Sequence, residues 1–253
     1  MRRDIEEYSH AEPERMSMET AVVAGVGPGL GAALARAFSG EGYAVGLFSR
    51  QAESSAPVAR EIEASGGKVL ACPVDVTDRE GVFQALEKVR SRLGGPITAL
   101  AYNASGFGRG KFLDLDPDQI RHSFEIGAMG AVHLAQALIP EMLKAGHGFI
   151  SLTGATASLR GRAGFAPLAI AKSSLRILGQ SLAREFHPQG IHVIHVIVDG
   201  QIETPRLRER DPNRPKDTTI PPDAIAATVI HALKQPKNAW THELDIRPYV
   251  ENF

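Results

Sequence analysis

The amino-acid sequence predicts a doubly wound α/β fold, a parallel sheet of seven strands with helices on both faces, in three α/β/α layers. Three observations predict it. Short apolar runs alternate with longer stretches of helical periodicity along nearly the whole chain, the pattern of parallel strands joined by crossover helices. A glycine-rich turn follows the first apolar run and opens the first helix. The 253 residues suffice for one large domain with a continuous core, and no stretch has the composition of a linker.

Residues 20–24 (TAVVA) read as the first strand, and the turn after them leads into the helix LGAALARAFSG. A strand at 44–48 (AVGLF), a helix around 55–65 and a strand at 68–72 (KVLAC) follow. Thr77-Asp78-Arg79-Glu80 fits a capping box, so a helix is expected from there to about Leu93. After a strand at 97–101 (ITALA), Asp116-Pro117-Asp118-Gln119 marks another helix start, with an acidic cap, proline in the first turn and a glutamine able to reach back. That helix should be long and end near the glycine of KAGHG. The strand FISLT, a helix from about 165 to 187, the strand IHVIHVI, a helix from about 222 to 234 and a final strand WTHELDI complete the series. Residues 1–18 carry acids where an export signal needs an apolar segment, and read as a disordered polar tail before a single domain at 19–253.

Hydrophobic residues make up 43% and charged residues 23%, the balance of a soluble globular chain. A net charge of −1 gives no long-range attraction to nucleic acid or to acidic membranes, so neither is expected as a partner. The longest apolar runs, such as residues 191–198, are interrupted by His192 and His195 and are too short to span a bilayer. Cys72 is the only cysteine, which excludes an internal disulfide and fits a reducing, cytoplasmic compartment. His192 and His195 stand three apart on an expected strand, point to opposite faces and cannot share a metal, so no metal site is expected.

The turn after the first strand reads Ala24-Gly25-Val26-Gly27-Pro28-Gly29-Leu30-Gly31. Small residues let a backbone approach a pyrophosphate closely, and a helix starting near Leu30 aims unpaired N–H groups at the anion. A glycine pattern alone is weak; its place between the first strand and the first helix is the context the chemistry requires. A tight turn with no ligand is the alternative.

These residues resemble the TGxxxGxG fingerprint of the short-chain dehydrogenase/reductase family, matched by Gly25, Gly29 and Gly31, with Ala24 in the threonine's place. The resemblance runs from about Glu19 to the C terminus. Asp75-Val76 in CPVDVTD matches the family's adenine-contacting aspartate, and Asn103-Ala104-Ser105-Gly106 resembles its NNAG segment. Residues Asp199-Gly200-Gln201-Ile202-Glu203-Thr204 resemble the PGxxxT segment that lies against the nicotinamide, with Asp199 replacing proline, and Lys172 takes the lysine position of YxxxK. The resemblance implies a Rossmann-type sheet, a nicotinamide dinucleotide, a small-molecule substrate and a homodimer or homotetramer. Ser49-Arg50 after the second strand favours NADP(H) over NAD(H), because an arginine there accommodates a 2′-phosphate where NAD-binding members place an acid. The second basic residue of some NADP-binding members is Pro28 here, and a solvated loop arginine is the alternative reading of Arg50.

Family members place a serine and a tyrosine on the substrate oxygen, a lysine on the nicotinamide ribose and an asparagine on the proton path. Counted from Lys172, the tyrosine position is Leu168, the serine position Ala155 and the asparagine position Gly127. Only Lys172 keeps its group. Loss of the general acid costs a carbonyl reductase roughly 10²–10⁴-fold in rate. Candidate substitutes are Thr153, on the same strand face as Ala155, together with Thr156, Asp199 and Tyr102. Tyr102 has an alternative as an aromatic packed at the strand end, and Lys172 as a neighbour of the helical apolar stripe Leu168, Ala171, Leu175, Leu178, Leu182 and Phe186. In TPRLRERDPNRPK, arginines interleave with acids, which suggests a solvated, mobile segment at the place where family members carry a substrate lid. Three functions stay open: an oxidoreductase that draws its proton from another group, an NADP(H)-binding protein without turnover that acts as sensor or scaffold, and a non-redox isomerase or cyclase.

Overall fold

The computed structural model describes residues 18–251, so the expected tail lies, up to residue 17, outside the described residues. The chain enters through β1 (Thr20–Ala24), α1 (Leu30–Gly40), β2 (Ala44–Ser49), α2 (Ala52–Ala64), β3 (Val69–Pro73), α3 (Arg79–Leu93) and β4 (Ile97–Tyr102). It continues through α4 (Pro117–Phe124), a π-helical segment (Glu125–Met129), α5 (Gly130–Ala145), β5 (Gly148–Thr153), α6 (Ala166–Phe186) and β6 (Ile191–Val198). A two-residue strand β7 (Gln201–Ile202), α7 (Pro205–Arg210), its partner β8 (Thr219–Ile220), α8 (Pro222–Leu233) and β9 (Glu243–Ile246) close the fold.

Seven strands form one parallel sheet in the order β3-β2-β1-β4-β5-β6-β9. Strand faces explain the layers. Val22, Leu100 and Ile150 bury against Leu86 of α3, Leu134 and Leu138 of α5 and Leu175 of α6. Val23, Leu47 and Ile194 point the other way, onto Leu34 and Phe38 of α1, Ile62 of α2 and Val229 of α8. Continuous apolar strands are what a parallel sheet covered on both faces requires. The chain winds outward in both directions from the β1/β4 pair, and in open α/β sheets the crevice at such a reversal, beyond the strands' C-terminal ends, is where ligands bind.

Local expectations fail at three places. Thr77 forms no capping box: its N–H and hydroxyl both donate to Asp75 Oδ1, at 2.9 and 2.8 Å, and α3 begins after Asp78 without a side-chain cap. The long helix after Asp116 starts as expected, with Asp116 accepting from the Asp118 N–H at 2.9 Å and Pro117 in the first turn, but it widens to a π turn over Glu125–Met129. The helical run from Pro117 to Ala145 also has 29 residues, so by length and composition alone it matches a bilayer, contrary to the expectation that no stretch would. Its most apolar window is 61% buried, and Leu134, Leu138 and Met142 seat it in the core.

Candidate functional site

The site is built from the glycine turn upward. At Gly25, φ is +89°, and a Cβ would stand 2.4 Å from the Ala104 backbone nitrogen. At Gly31 a Cβ would meet the Gly25 carbonyl oxygen at 2.4 Å, so the first turn of α1 can lie against the loop only as glycine. A Cβ at Gly29 would come 2.9 Å from Thr204 Cγ2. Leu30 starts α1 as a buried residue, and the helix has neither a side-chain cap nor an acid in its first turn, leaving a positive end toward an anion. Asn103 ties the end of β4 to this turn, its N–H donating to the Ala24 carbonyl at 2.8 Å and Nδ2 to the Gly25 carbonyl at 2.9 Å.

A cavity of about 370 Å³ opens above β1, β2 and β4, lined among others by Gly25, Gly27, Arg50, Ser54, Asp75 and Asn103. Ser49, Val76 and Ala104 also reach its wall, so one space brings together seven of the expected cofactor residues. Ser49 is 5% exposed and donates its hydroxyl hydrogen to the Gln51 carbonyl at 2.8 Å. Arg50 is exposed and has no carboxylate within ion-pair distance among the described residues. Burial would raise the Asp75 carboxyl, but the two Thr77 hydrogen bonds and Arg50 hold it below the usual carboxylate range. The sequence reading missed Gln51, Ser54 and Ile126 in this wall; the helix start at 52, three residues earlier than expected, is what brings Ser54 round.

Lys172, Thr153, Gly200, Ile202 and Thr204 lie outside that cavity, at the ends of β5 and β6. Lys172 projects from α6 to the end of β5, is 4% exposed and donates from Nζ to the Thr153 carbonyl at 2.6 Å. Burial lowers its pKa to about 8. Thr204 caps α7, its hydroxyl accepting from the Leu207 N–H at 3.1 Å, while its methyl faces Gly29. Within the arginine-rich segment Arg208 binds Glu203 through two N–H groups and the Arg214 carbonyl at 2.6 Å, and Thr219 donates to Glu203 at 2.6 Å, while Arg206, Glu209 and Arg210 are exposed.

The substitutes for the missing acid are mostly engaged elsewhere. Tyr102 is corrected outright: it is fully buried, its hydroxyl donates to the Ile126 carbonyl, and burial pushes its pKa far up. It packs under the site and offers no proton to it. Thr156 donates its hydroxyl hydrogen to Asp199, whose other oxygen stands 3.4 Å from Arg247 Nη1. Thr153 remains, 8% exposed, beside the lysine.

A family model described as short chain dehydrogenase matches residues 19–215. The chain belongs to the short-chain dehydrogenase family. An uncharacterized oxidoreductase of Staphylococcus aureus (strain USA300) is 27% identical over 91% of this chain and 97% of its own length. A short-chain dehydrogenase from Rhodopseudomonas palustris shares 33% identity and superimposes with a TM-score of 0.78, covering 91% of this chain and 99% of that one. A metagenomic short-chain oxidoreductase solved with NADP is 25% identical, with a TM-score of 0.78 and coverage of 93% and 99%. In this short-chain dehydrogenase the position expected to carry an asparagine is closed by packing, since a Cβ on Gly127 would already lie 2.7 Å from Ala171 Cβ. Leu168, half-buried, stands one helical turn ahead of Lys172.

Proposed function

We propose that this short-chain dehydrogenase binds NADP(H) and transfers hydride to or from a small organic substrate without a tyrosine acid. The observation that carries the reading is the meeting, in one cavity at the sheet's reversal, of a glycine turn with no room for side chains, Arg50 beyond β2 and Asp75 beyond β3, with a buried lysine outside it at the end of β5. The residues present fit a dinucleotide: Gly25, Gly29, Leu30 and Gly31 would accept the pyrophosphate, Ser49 and Arg50 the 2′-phosphate, Asp75 and Val76 the adenine. Asn103, Ala104, Gly200, Ile202 and Thr204 would hold the nicotinamide half, and Lys172 its ribose. The NADP found in the metagenomic relative supports the same choice.

When bound, the nicotinamide supplies or accepts a hydride. The chain's own part is orientation, which alone can supply a large share of a rate enhancement. With aliphatic Leu168 and Ala155 at the family's acid positions, the proton must come from solvent, from the substrate or through Lys172 with Thr153 beside it. Substrates that need little acid help fit best, such as an activated C=C bond, an iminium carbon or a carbonyl polarised by its own substituents. A homodimer or homotetramer and a reducing, cytoplasmic setting complete the reading; Ile170 and Ile177, 42% and 56% exposed on the outer face of α6, support the association.

The test is a fluorescence titration with NADPH and NADH, followed by a turnover panel of ketones, imines and activated alkenes. NADPH should bind at least about tenfold more tightly than NADH, and Arg50→Ala should erase the difference. The blank positions 127, 155 and 168 favour a second reading, a cofactor-binding protein without turnover. Tight NADPH binding with no oxidation across the whole panel would select it, and absence of binding would remove both.

A further inference from the structure

The loops at the start of α6, one turn before Leu168, carry a positive charge that the residues proposed to hold NADP(H) do not supply. Phe165 is the residue immediately before α6, so Phe165, Leu168 and Lys172 follow one helix face at i, i+3 and i+7. The Phe165 ring is the base for two guanidinium groups. Arg109, from the loop after β4, lies 4.7 Å from the ring centroid, and Arg162, from the segment after β5, lies 5.7 Å away. Phe107 meets the same ring edge-on at 6.5 Å. A hydrogen bond from the Gly110 N–H to the Gly164 carbonyl, 3.1 Å, ties the two loops together beside it.

Both arginines are exposed, and neither has a carboxylate within ion-pair distance among the described residues. The sequence makes this more than local. No acid occurs between Asn103 and Leu113 or between Met142 and Arg184, while Lys111 and Arg160 add further positive charge to the same two loops. The first turn of α6 has no acid and no side-chain cap, so its positive end faces the same side. An arginine stacked on an aromatic ring keeps its N–H edge free and pre-oriented, which suits it to grip a carboxylate or phosphate at small entropic cost.

We infer that Arg109 and Arg162, seated on Phe165, recognise an anionic group at the far end of the substrate. The inference rests on the oxidoreductase reading above and deepens it. Lys172 stands seven positions after Phe165, about 10 Å along the axis. The substrate is therefore a short apolar chain with its reacting carbon at the inner end, against Leu168 and Ala155, and a carboxylate or phosphate at the outer end. An apolar body matches the aliphatic side chains of Leu168 and Ala155.

Calorimetry with octanoate and with neutral octanamide, on the protein with and without NADPH, tests the inference apart from turnover. Octanoate should bind roughly 10- to 100-fold more tightly than octanamide. R109Q/R162Q should abolish that preference and leave NADPH affinity unchanged. With 8-oxooct-6-enoate as substrate, whose C=C bond is activated by the aldehyde, the same variant should raise KM by a like factor and change kcat little. Equal binding of acid and amide would overturn the inference, as would an unchanged preference in the variant. A loss of NADPH affinity in the variant would also overturn it, by assigning the arginines to the cofactor. A retained octanoate preference without NADPH oxidation would support the anion site and count against hydride transfer.

Discussion

Lys172 concentrates the chemistry of the site in one side chain. Its pKa falls to about 8 because burial strips water from the ammonium. Between about 8 and its ordinary 10.5 the unfolded chain holds this proton and the folded chain releases it, so the contribution to stability rises with pH across that window. Binding runs the other way. An ammonium attracts the ribose hydroxyls and phosphates, so NADPH affinity should fall as pH rises through about 8, measured by nicotinamide fluorescence from pH 7 to 9.5. Lys172→Met should remove that inflection and weaken NADPH roughly tenfold or more. Leu168→Tyr with Ala155→Ser should give the site carbonyl reductase activity, gained within roughly 10²–10⁴-fold and measured as NADPH oxidation by a plain ketone. The positions of Lys172, Leu168 and Ala155 were legible because a motif with fixed spacing numbers them. The engagement of Thr156 by Asp199 was not, since those residues are 43 apart in the chain and meet only through the fold.

The π-helical segment shows how an element can hide in a regular pattern. EIGAM has the apolar spacing of an ordinary helix, and nothing in five residues announces a widened turn. What stabilises it comes from another element: the Tyr102 hydroxyl at the end of β4 donates to the Ile126 carbonyl, and Gly130 makes room for that ring, since a Cβ there would stand 2.4 Å from the oxygen. Tyr102→Phe leaves the carbonyl buried without its partner, which should cost about 1–3 kcal/mol in a urea unfolding curve. Because the hydroxyl never reaches the crevice, kcat per bound NADPH should stay within about twofold, whereas a proton donor would lose far more. The strands were legible from period and composition, and the main sheet has the seven expected. The β7/β8 pair was not, because two residues carry no period; it exists because Glu203, between its strand and α7, collects Arg208 and Thr219. The same contacts anchor Arg208 in a segment whose Arg206, Glu209 and Arg210 are exposed, as the sequence suggests.

At the scale of the whole molecule, ionisation sets an acid limit that composition does not disclose. His187, His192 and His195 are all lowered from the usual histidine range, with burial the largest cause in each. His192 lies flat on Trp240 with 4.6 Å between ring centroids, and His187 meets the same indole edge-on. His195 is fully buried and held to about 4, although Glu243, 3.2 Å from Nδ1, pulls the other way. Lys172 and Arg176 add repulsion toward a charged His195. Since these folded values lie below the unfolded one near 6.5, their stabilisation is complete above that pH and is lost as pH falls below it, for His195 down to about 4. Each proton taken up on unfolding gives a slope of about 1.4 kcal/mol per pH unit. Unfolding free energies measured by urea between pH 7 and 4.5 should therefore drop before the carboxylates titrate. His195→Gln, which keeps a polar group opposite Glu243, should flatten that limb by up to one proton. An unchanged slope in the variant would mean that His195 takes its proton in the folded state, with the Glu243 carboxylate outweighing burial.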